Sequence, residues 1–195
     1  IKDCLGLFVE LRTNKFKASP GSELLVTLEV INRSNTEVRL VSMEVTSNDN
    51  VFALPSTLVY NQGYTKELTI QTPEQLSIPY WLIKHPEEGM YKVDQQKKRG
   101  TPADPPSITA AVKIEINGTS ITLQAPVIYK TVDPAEGEVI RPLSIIPPVT
   151  VESNDEVLMF NQGHERIIQL KLTAAEDSVK GNLHLKTSLP DWKVS

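Results

Sequence analysis

Residues 83–91 read Ile-Lys-His-Pro-Glu-Glu-Gly-Met-Tyr, so an imidazole and two carboxylates stand almost side by side at His85, Glu87 and Glu88. Imidazole and carboxylate are the ligands of hydrolytic zinc, which takes three protein ligands, keeps a fourth position for water and needs a base nearby. The chain contains three histidines, His85, His164 and His184. His164 stands just past an Asn-Gln-Gly turn, and His184 alternates with Leu183 and Leu185 as on a strand with its polar side to solvent. Gathering all three on one ion would require a site between distant parts of the chain, and no spacing demands it. Neighbouring glutamates on a loop more often point apart than together, so 84–89 is expected to be a charged surface loop, with no metal ligand in the fragment.

Other chemistry finds less footing. There is no Gly-x-Ser-x-Gly elbow and no glycine-rich phosphate loop, and the single cysteine, Cys4, has no histidine near it in sequence. No catalytic residue is therefore assigned. Aromatic side chains that could meet a sugar are Tyr80, Trp81, Tyr91 and Trp192. Trp81 is followed by Leu82 and Ile83, a setting in which a ring is expected to plug a core or a seam between domains, with Trp192 capping a second core. Arg141 lies close to Glu136 and Glu138, where an ion pair could set the angle between two units. Tyr80, Trp81, Tyr91 and Arg141 are thus the candidate ligand or interdomain residues.

Composition narrows the partners. The net charge is −4, from 20 basic and 24 acidic residues, which lacks the basic face of a nucleic-acid binder. The one basic cluster, Lys97-Lys98-Arg99, sits among Gln95, Gln96 and Gly100 and reads as a solvated loop. No apolar run approaches the ~20 residues of a membrane span. One cysteine allows no internal disulfide and neither requires nor excludes an oxidising compartment. The chain starts at Ile1, so it is read as a piece of a longer protein from which any targeting segment has been removed.

The elements that must position these residues are strands. Prolines (14) outnumber glycines (9), and apolar residues alternate with polar ones in 23–32, 38–46, 66–71, 108–116 and 119–129. In 23–32 the core-facing set is Leu24, Val26, Leu28 and Val30, and the alternation slips near Val41 in the next segment, as at a bulge. Asn117-Gly118 is a two-residue hairpin signal, because both turn positions need positive φ. The sequons at Asn32-Arg33-Ser34 and Asn117-Gly118-Thr119 are read as turn chemistry. No segment sustains a 3.6-residue period.

An internal likeness completes the plan. Residues 59–71, Val-Tyr-Asn-Gln-Gly-Tyr-Thr-Lys-Glu-Leu-Thr-Ile-Gln, match 159–171, Met-Phe-Asn-Gln-Gly-His-Glu-Arg-Ile-Ile-Gln-Leu-Lys, in turn and following strand. The expected fold is all-β, with tandem immunoglobulin-like β-sandwiches at 1–133 and 143–195 joined by a linker at 134–142. The second is too short for about seven strands and is expected to be truncated, with an edge that something must cover.

Certain stretches resemble a known family. Pro79-Tyr80-Trp81-Leu82, Gly100 with Pro102, Pro105-Pro106, Pro126-Val127 with Tyr129-Lys130, and Gly137-Glu138-Val139 with Arg141-Pro142 resemble the non-catalytic C-terminal region of bacterial deacetylases. These enzymes are similar to N-acetylglucosaminyl-phosphatidylinositol de-N-acetylases (PIG-L or LmbE-like). Leu-Pro-Asp-Trp-Lys-Val-Ser at 189–195 looks like a segment of accessory domains found beside carbohydrate-active modules, with Asp191 where glycine is usual. The resemblance spans roughly 15–195. It implies a parent enzyme that removes an N-acetyl group from a sugar with zinc. The zinc would be held on a separate α/β domain by an Ala-His-Pro-Asp-Asp-Glu motif, so none is expected in this fragment. His-Pro-Glu-Glu at 85–88 has longer acids than that motif and follows no buried parallel strand.

Three functional readings follow. In the first, the chain is a non-catalytic accessory module that positions the catalytic domain of the same protein, or its polysaccharide or glycoconjugate substrate, in the periplasm or at the bacterial cell surface. In the second, it is a stand-alone carbohydrate-binding module using Tyr80, Trp81 or Tyr91. The third is a metallohydrolase centred on His85.

Overall fold

A computed structural model describes residues 2–46, 50–154, 157, 159 and 167–184. Among them the fold is all-β, apart from one 3₁₀ turn at Gln96–Lys98. The chain divides into two compact units, Ile1–Pro148 and Val149–Ser195.

The first unit holds ten strands among its described residues: β1 (Phe8–Thr13), β2 (Lys17–Ala18), β3 (Glu23–Ile31), β4 (Val38–Val45), β5 (Asn50–Leu58), β6 (Gly63–Gln71), β7 (Thr109–Ile116), β8 (Thr119–Asp133), β9 (Gly137–Pro142) and β10 (Ser144–Ile145). The main sheet runs β5-β4-β7-β8-β1-β3-β6, with β9 also on β8. It is mixed: β1 runs parallel to β8, and the other pairings are antiparallel. β8 makes it continuous. Its first part, up to Pro126, pairs with β7; from Val127 onward it pairs with β1 and then β9. The sheet curls so that its end strands β5 and β6 come alongside one another, giving a nearly closed, barrel-like body.

One face of the curled sheet is the core. Alternation delivers Leu24, Val26, Leu28 and Val30 of β3 inward with essentially no exposure, as the sequence pattern requires. They meet Val38, Leu40, Met43 and Val45 of β4, and Ala110, Val112 and Ile114 of β7, in a single cluster. Each such leucine or isoleucine stabilises the fold by about 1.5–3 kcal/mol relative to exposure. The slip near Val41 is a register shift between Leu40 and Ser42 against both neighbouring strands, which returns Met43 to the core. The β7–β8 turn has Asn117 at φ 48° and Gly118 at φ 77°, the positive pair that the Asn-Gly signal predicts.

The stretch 134–142 is where the structure departs most from the sequence reading of a linker. Gly137–Pro142 is β9, laddered antiparallel to β8 from Asp133↔Gly137 to Ile128↔Pro142. Asp133 turns the chain between them, its Oδ1 accepting from the backbone N–H of Ala135 (2.8 Å) and Glu136 (3.0 Å). Those two bonds favour the ionised form and hold the Asp133 carboxyl below the usual range. Val139 faces one side and Ile140 the other, but half the strand is charged or proline, and that composition masks its alternation.

In the second unit, β11 (Val149–Ser153) pairs antiparallel with β12 (Leu170–Ala174). The Asn-Gln-Gly of 161–163 lies outside the described residues, as do His164 and Trp192. His184 is exposed and not on a strand, contrary to its expected place in a strand 181–187.

Candidate functional site

β6 and β7 are joined by a long connection, 72–108, with no strand of its own. Connections of that length in compact domains are usually functional or unstructured. This one is fastened. At its base the Ser77 and Ser107 hydroxyls are 2.6 Å apart. Ser107 Oγ donates to the Leu143 carbonyl (3.0 Å), so the proton between the two hydroxyls comes from Ser77. Ser77 Oγ in turn accepts from Ile145 N–H (2.8 Å), and Ser77 N–H donates to the Ile145 carbonyl (2.9 Å). Higher up, Asp104 is the internal tie. Its Oδ2 accepts from Tyr80 N–H at 2.7 Å, and its Oδ1 lies 3.3 Å from Lys98 Nζ. Tyr80 OH donates to the Thr101 carbonyl (3.1 Å), and Arg99 caps the Val93 carbonyl through Nε (3.2 Å) and Nη2 (2.8 Å).

The loop carries three of the four candidate residues. Tyr80 and Trp81 are half-buried and meet edge to face, with centroids 4.9 Å apart and planes at 88°. Trp81 is therefore not the core plug that its aliphatic neighbours suggested: the core is closed by Leu and Val from the strands, and the indole packs within the loop instead. Nor do the two rings form a flat platform. Tyr91 is 59% exposed, and Met90 (74%), Ile83 (59%) and Leu82 (49%) of the same loop are exposed as well. A backbone bridge between Glu87 and Met90 closes the tip, where Glu88 and Gly89 both have positive φ.

The His-Pro-Glu-Glu stretch lies in this tip. His85 is exposed, with Nδ1 3.1 Å from the Pro86 carbonyl, and Glu87 is ion-paired with Lys92. Among the described residues, no three His, Cys, Asp or Glu side chains converge on one point.

Beside Tyr80 lies a shallow pocket of ≈160 Å³, also lined by Ile83, Val93, Lys84, Lys92 and Lys98, with Asp94 and Gln95 completing its wall. Lys84 and Asp94 are bonded across it at 2.6 Å. Sequence reasoning gave Tyr80 but not these polar partners, because Lys97-Lys98-Arg99 reads as a plain solvated run. The signal that could have found them is the repeat of apolar and lysine pairs, Ile83-Lys84 and Lys92-Val93, on either side of a glycine tip.

Asp104→Ala should loosen the loop without unfolding the body. Losing two bonds to a half-buried carboxylate, worth about 1 kcal/mol net, raises the open population by roughly fivefold. Trypsin cleavage at Lys92, Lys97 and Arg99 should quicken by about that factor while the melting transition stays in place.

Arg141 lies elsewhere, on β9 opposite Tyr129. Its guanidinium stands over the Phe16 ring at 5.9 Å, and Phe16 meets Tyr129 edge-on at 5.5 Å. Glu138, expected as its partner, pairs with Lys130 at 3.0 Å. Lys130 also reaches Glu10 (3.1 Å), Glu10 lies 3.5 Å from Arg12, and Arg12 bonds Glu29 at 2.6 Å, a ladder of alternating charge across β9, β8, β1 and β3. Glu138 and then Glu10 hold the Lys130 ammonium above its usual pKa. Next to the ladder is a second depression, ≈200 Å³, lined by Arg12, Thr27, Glu67 and Lys130 among others.

No helix among the described residues is long and apolar enough to cross a membrane. Comparison with known protein families, with curated proteins and with solved structures finds no match for this chain.

Proposed function

We propose that this chain is a non-catalytic accessory module of a protein similar to PIG-L/LmbE-like sugar N-deacetylases, working in the periplasm or at the bacterial surface. On this reading its architecture is two immunoglobulin-like sandwiches in tandem, the second incomplete. Zinc belongs to a catalytic domain outside this sequence, and that domain, or its polysaccharide or glycoconjugate substrate, is the partner. The observation that carries the proposal is the fastened loop 72–108. A rigid β body presents Leu82, Ile83, Met90 and Tyr91 to the outside, where apolar groups contribute nothing to the fold's own core. The test is to sequence the reading frame on the 5′ side of this segment. An Ala-His-Pro-Asp-Asp-type motif after a hydrophobic strand is the expected finding, and an open frame without one overturns the assignment.

A second reading, a carbohydrate-binding module, is favoured by the pocket beside Tyr80, where an aromatic ring and fixed donors and acceptors converge.

A further inference from the structure

We infer that Asn117 is the acceptor of an N-linked glycan and that Asn32, which carries the same motif, is not. Both asparagines stand two residues before a hydroxyl, in Asn32-Arg33-Ser34 and Asn117-Gly118-Thr119, the pattern that oligosaccharyltransferases use. The transfer joins the side-chain amide nitrogen to the anomeric carbon of an oligosaccharide carried on a polyprenyl diphosphate. The bond from that carbon to the diphosphate breaks, the diphosphate leaves with the electron pair, and the amide nitrogen gives up one proton. An acceptor therefore needs a free amide nitrogen, a free hydroxyl and room for the donor.

The fold grants these to one motif only. Asn32 is 1% exposed, and its Nδ2 already donates to the Thr36 carbonyl. Its hydroxyl partner is engaged too, since Ser34 Oγ donates to Asn32 Oδ1. Asn117, Gly118 and Thr119 are all exposed at the tip of the β7–β8 hairpin. A side chain added at Gly118 would meet nothing within 4 Å, so the space beside the asparagine is open. Only the last ladder pair, Ile116↔Thr119, has to fray for an enzyme to take the tip, and opening at the end of an element costs little.

The flanking residues separate the two motifs again. The bacterial form of this transfer also reads a carboxylate two residues before the asparagine. Glu115 stands there for Asn117, whereas Asn32 has the buried Val30 in that place. The Glu115 carboxylate is held by a loose pair with Arg39 at 3.9 Å, which an enzyme can displace readily. The glycan would also lie clear of loop 72–108, which meets β7 at the opposite end of the strand, about 25 Å away for eight extended residues.

The test incubates the purified chain with a bacterial oligosaccharyltransferase and its polyprenyl-diphosphate-linked oligosaccharide, and reads occupancy by intact mass and peptide mapping. One glycan is expected, on Asn117, with none on Asn32. Asn117→Gln should abolish it, and Glu115→Gln should slow it by about tenfold or more while leaving the melting curve in place. A eukaryotic single-subunit transferase, which needs no acid, isolates burial. It should modify a synthetic 28–38 peptide at Asn32, but the folded chain at Asn117 alone. A glycan on Asn32 of the folded chain overturns the selection between the motifs, and an unchanged rate for Glu115→Gln overturns the role of the acid. Transfer to a 112–122 peptide but not to the folded chain means that the hairpin withholds Asn117, which overturns the inference, as does transfer to neither. Modification in the cell rests on the export that the accessory-module reading supposes. Acceptance by the purified chain does not, so its failure is told apart from failure of that reading, which the reading frame decides.

Discussion

Leu28→Ala is expected to lower the free energy of unfolding by about 2–5 kcal/mol, with Leu25→Ala, three residues away on the same strand, changing it by less than about 1 kcal/mol. The side chains are identical and the strand is shared, so burial alone separates them. Leu28 has 0% exposure inside the curled sheet, and its removal leaves a cavity among close-packed strands. Leu25 points to the other face and is 48% exposed. Urea denaturation of both variants measures the contrast. A reversed contrast, with Leu25→Ala the costlier change, would mean that β3 is set one residue out of register, because a single-residue slip exchanges the two faces.

The second large effect is expected at Asn32. Its side chain is 1% exposed, and both ends are engaged: Nδ2 donates to the Thr36 carbonyl (2.9 Å), and Oδ1 accepts from Ser34 N–H (3.0 Å) and Ser34 Oγ (2.9 Å). Its backbone carbonyl takes the N–H of Asn61 at 2.7 Å, joining the turn after β3 to the turn between β5 and β6. Asn32→Ala removes three bonds and strands the Ser34 N–H and the Thr36 carbonyl, at a cost of about 1–3 kcal/mol. Asn117→Ala, at the exposed hairpin, loses only the preference for positive φ, roughly 1 kcal/mol. Thermal melts of the two variants compare them, and an Asn32→Ala loss no larger than that of Asn117→Ala would mean that water satisfies the turn. The contrast also separates two sequons that look alike in sequence: one is a buried brace, the other a solvent-exposed turn.

How far the sequence could be read follows from the range of the forces involved. β3, β4, β7 and the Asn-Gly hairpin were legible, because alternation and turn chemistry are local and one face of each strand is fully dry. The Leu40/Ser42 shift was legible for the same reason, as a break in that alternation. β5 was not read as a strand: it carries Pro55 and lies at the sheet's end, where its partner β4 supplies the order that its own composition lacks. β9 was hidden by Glu138, Arg141 and Pro142, whose pairing with β8 becomes visible only once Asp133 has turned the chain. At the candidate site, Tyr80 and Tyr91 were legible alike, as aromatics that could meet a sugar. What places Tyr80 is Asp104, far along the chain, and no local pattern announces a contact of that span. Trp81 was misplaced because flanking aliphatics signal burial without saying by what; here they belong to the loop surface itself.

The two serines at the foot of loop 72–108 have a wider consequence. Because Ser77 and Ser107 touch, and both are tied to the chain at 143–145, the sheet sees the same two anchor points whatever the chain does between them. The segment 78–106 is in that sense a cassette. Its composition can drift, lengthen or be exchanged with little penalty to the strands beneath, as the slow growth of closure entropy with loop length allows. Selection on what the module recognises can therefore act on that cassette while selection on folding acts on the sheet, and the two histories need not constrain each other.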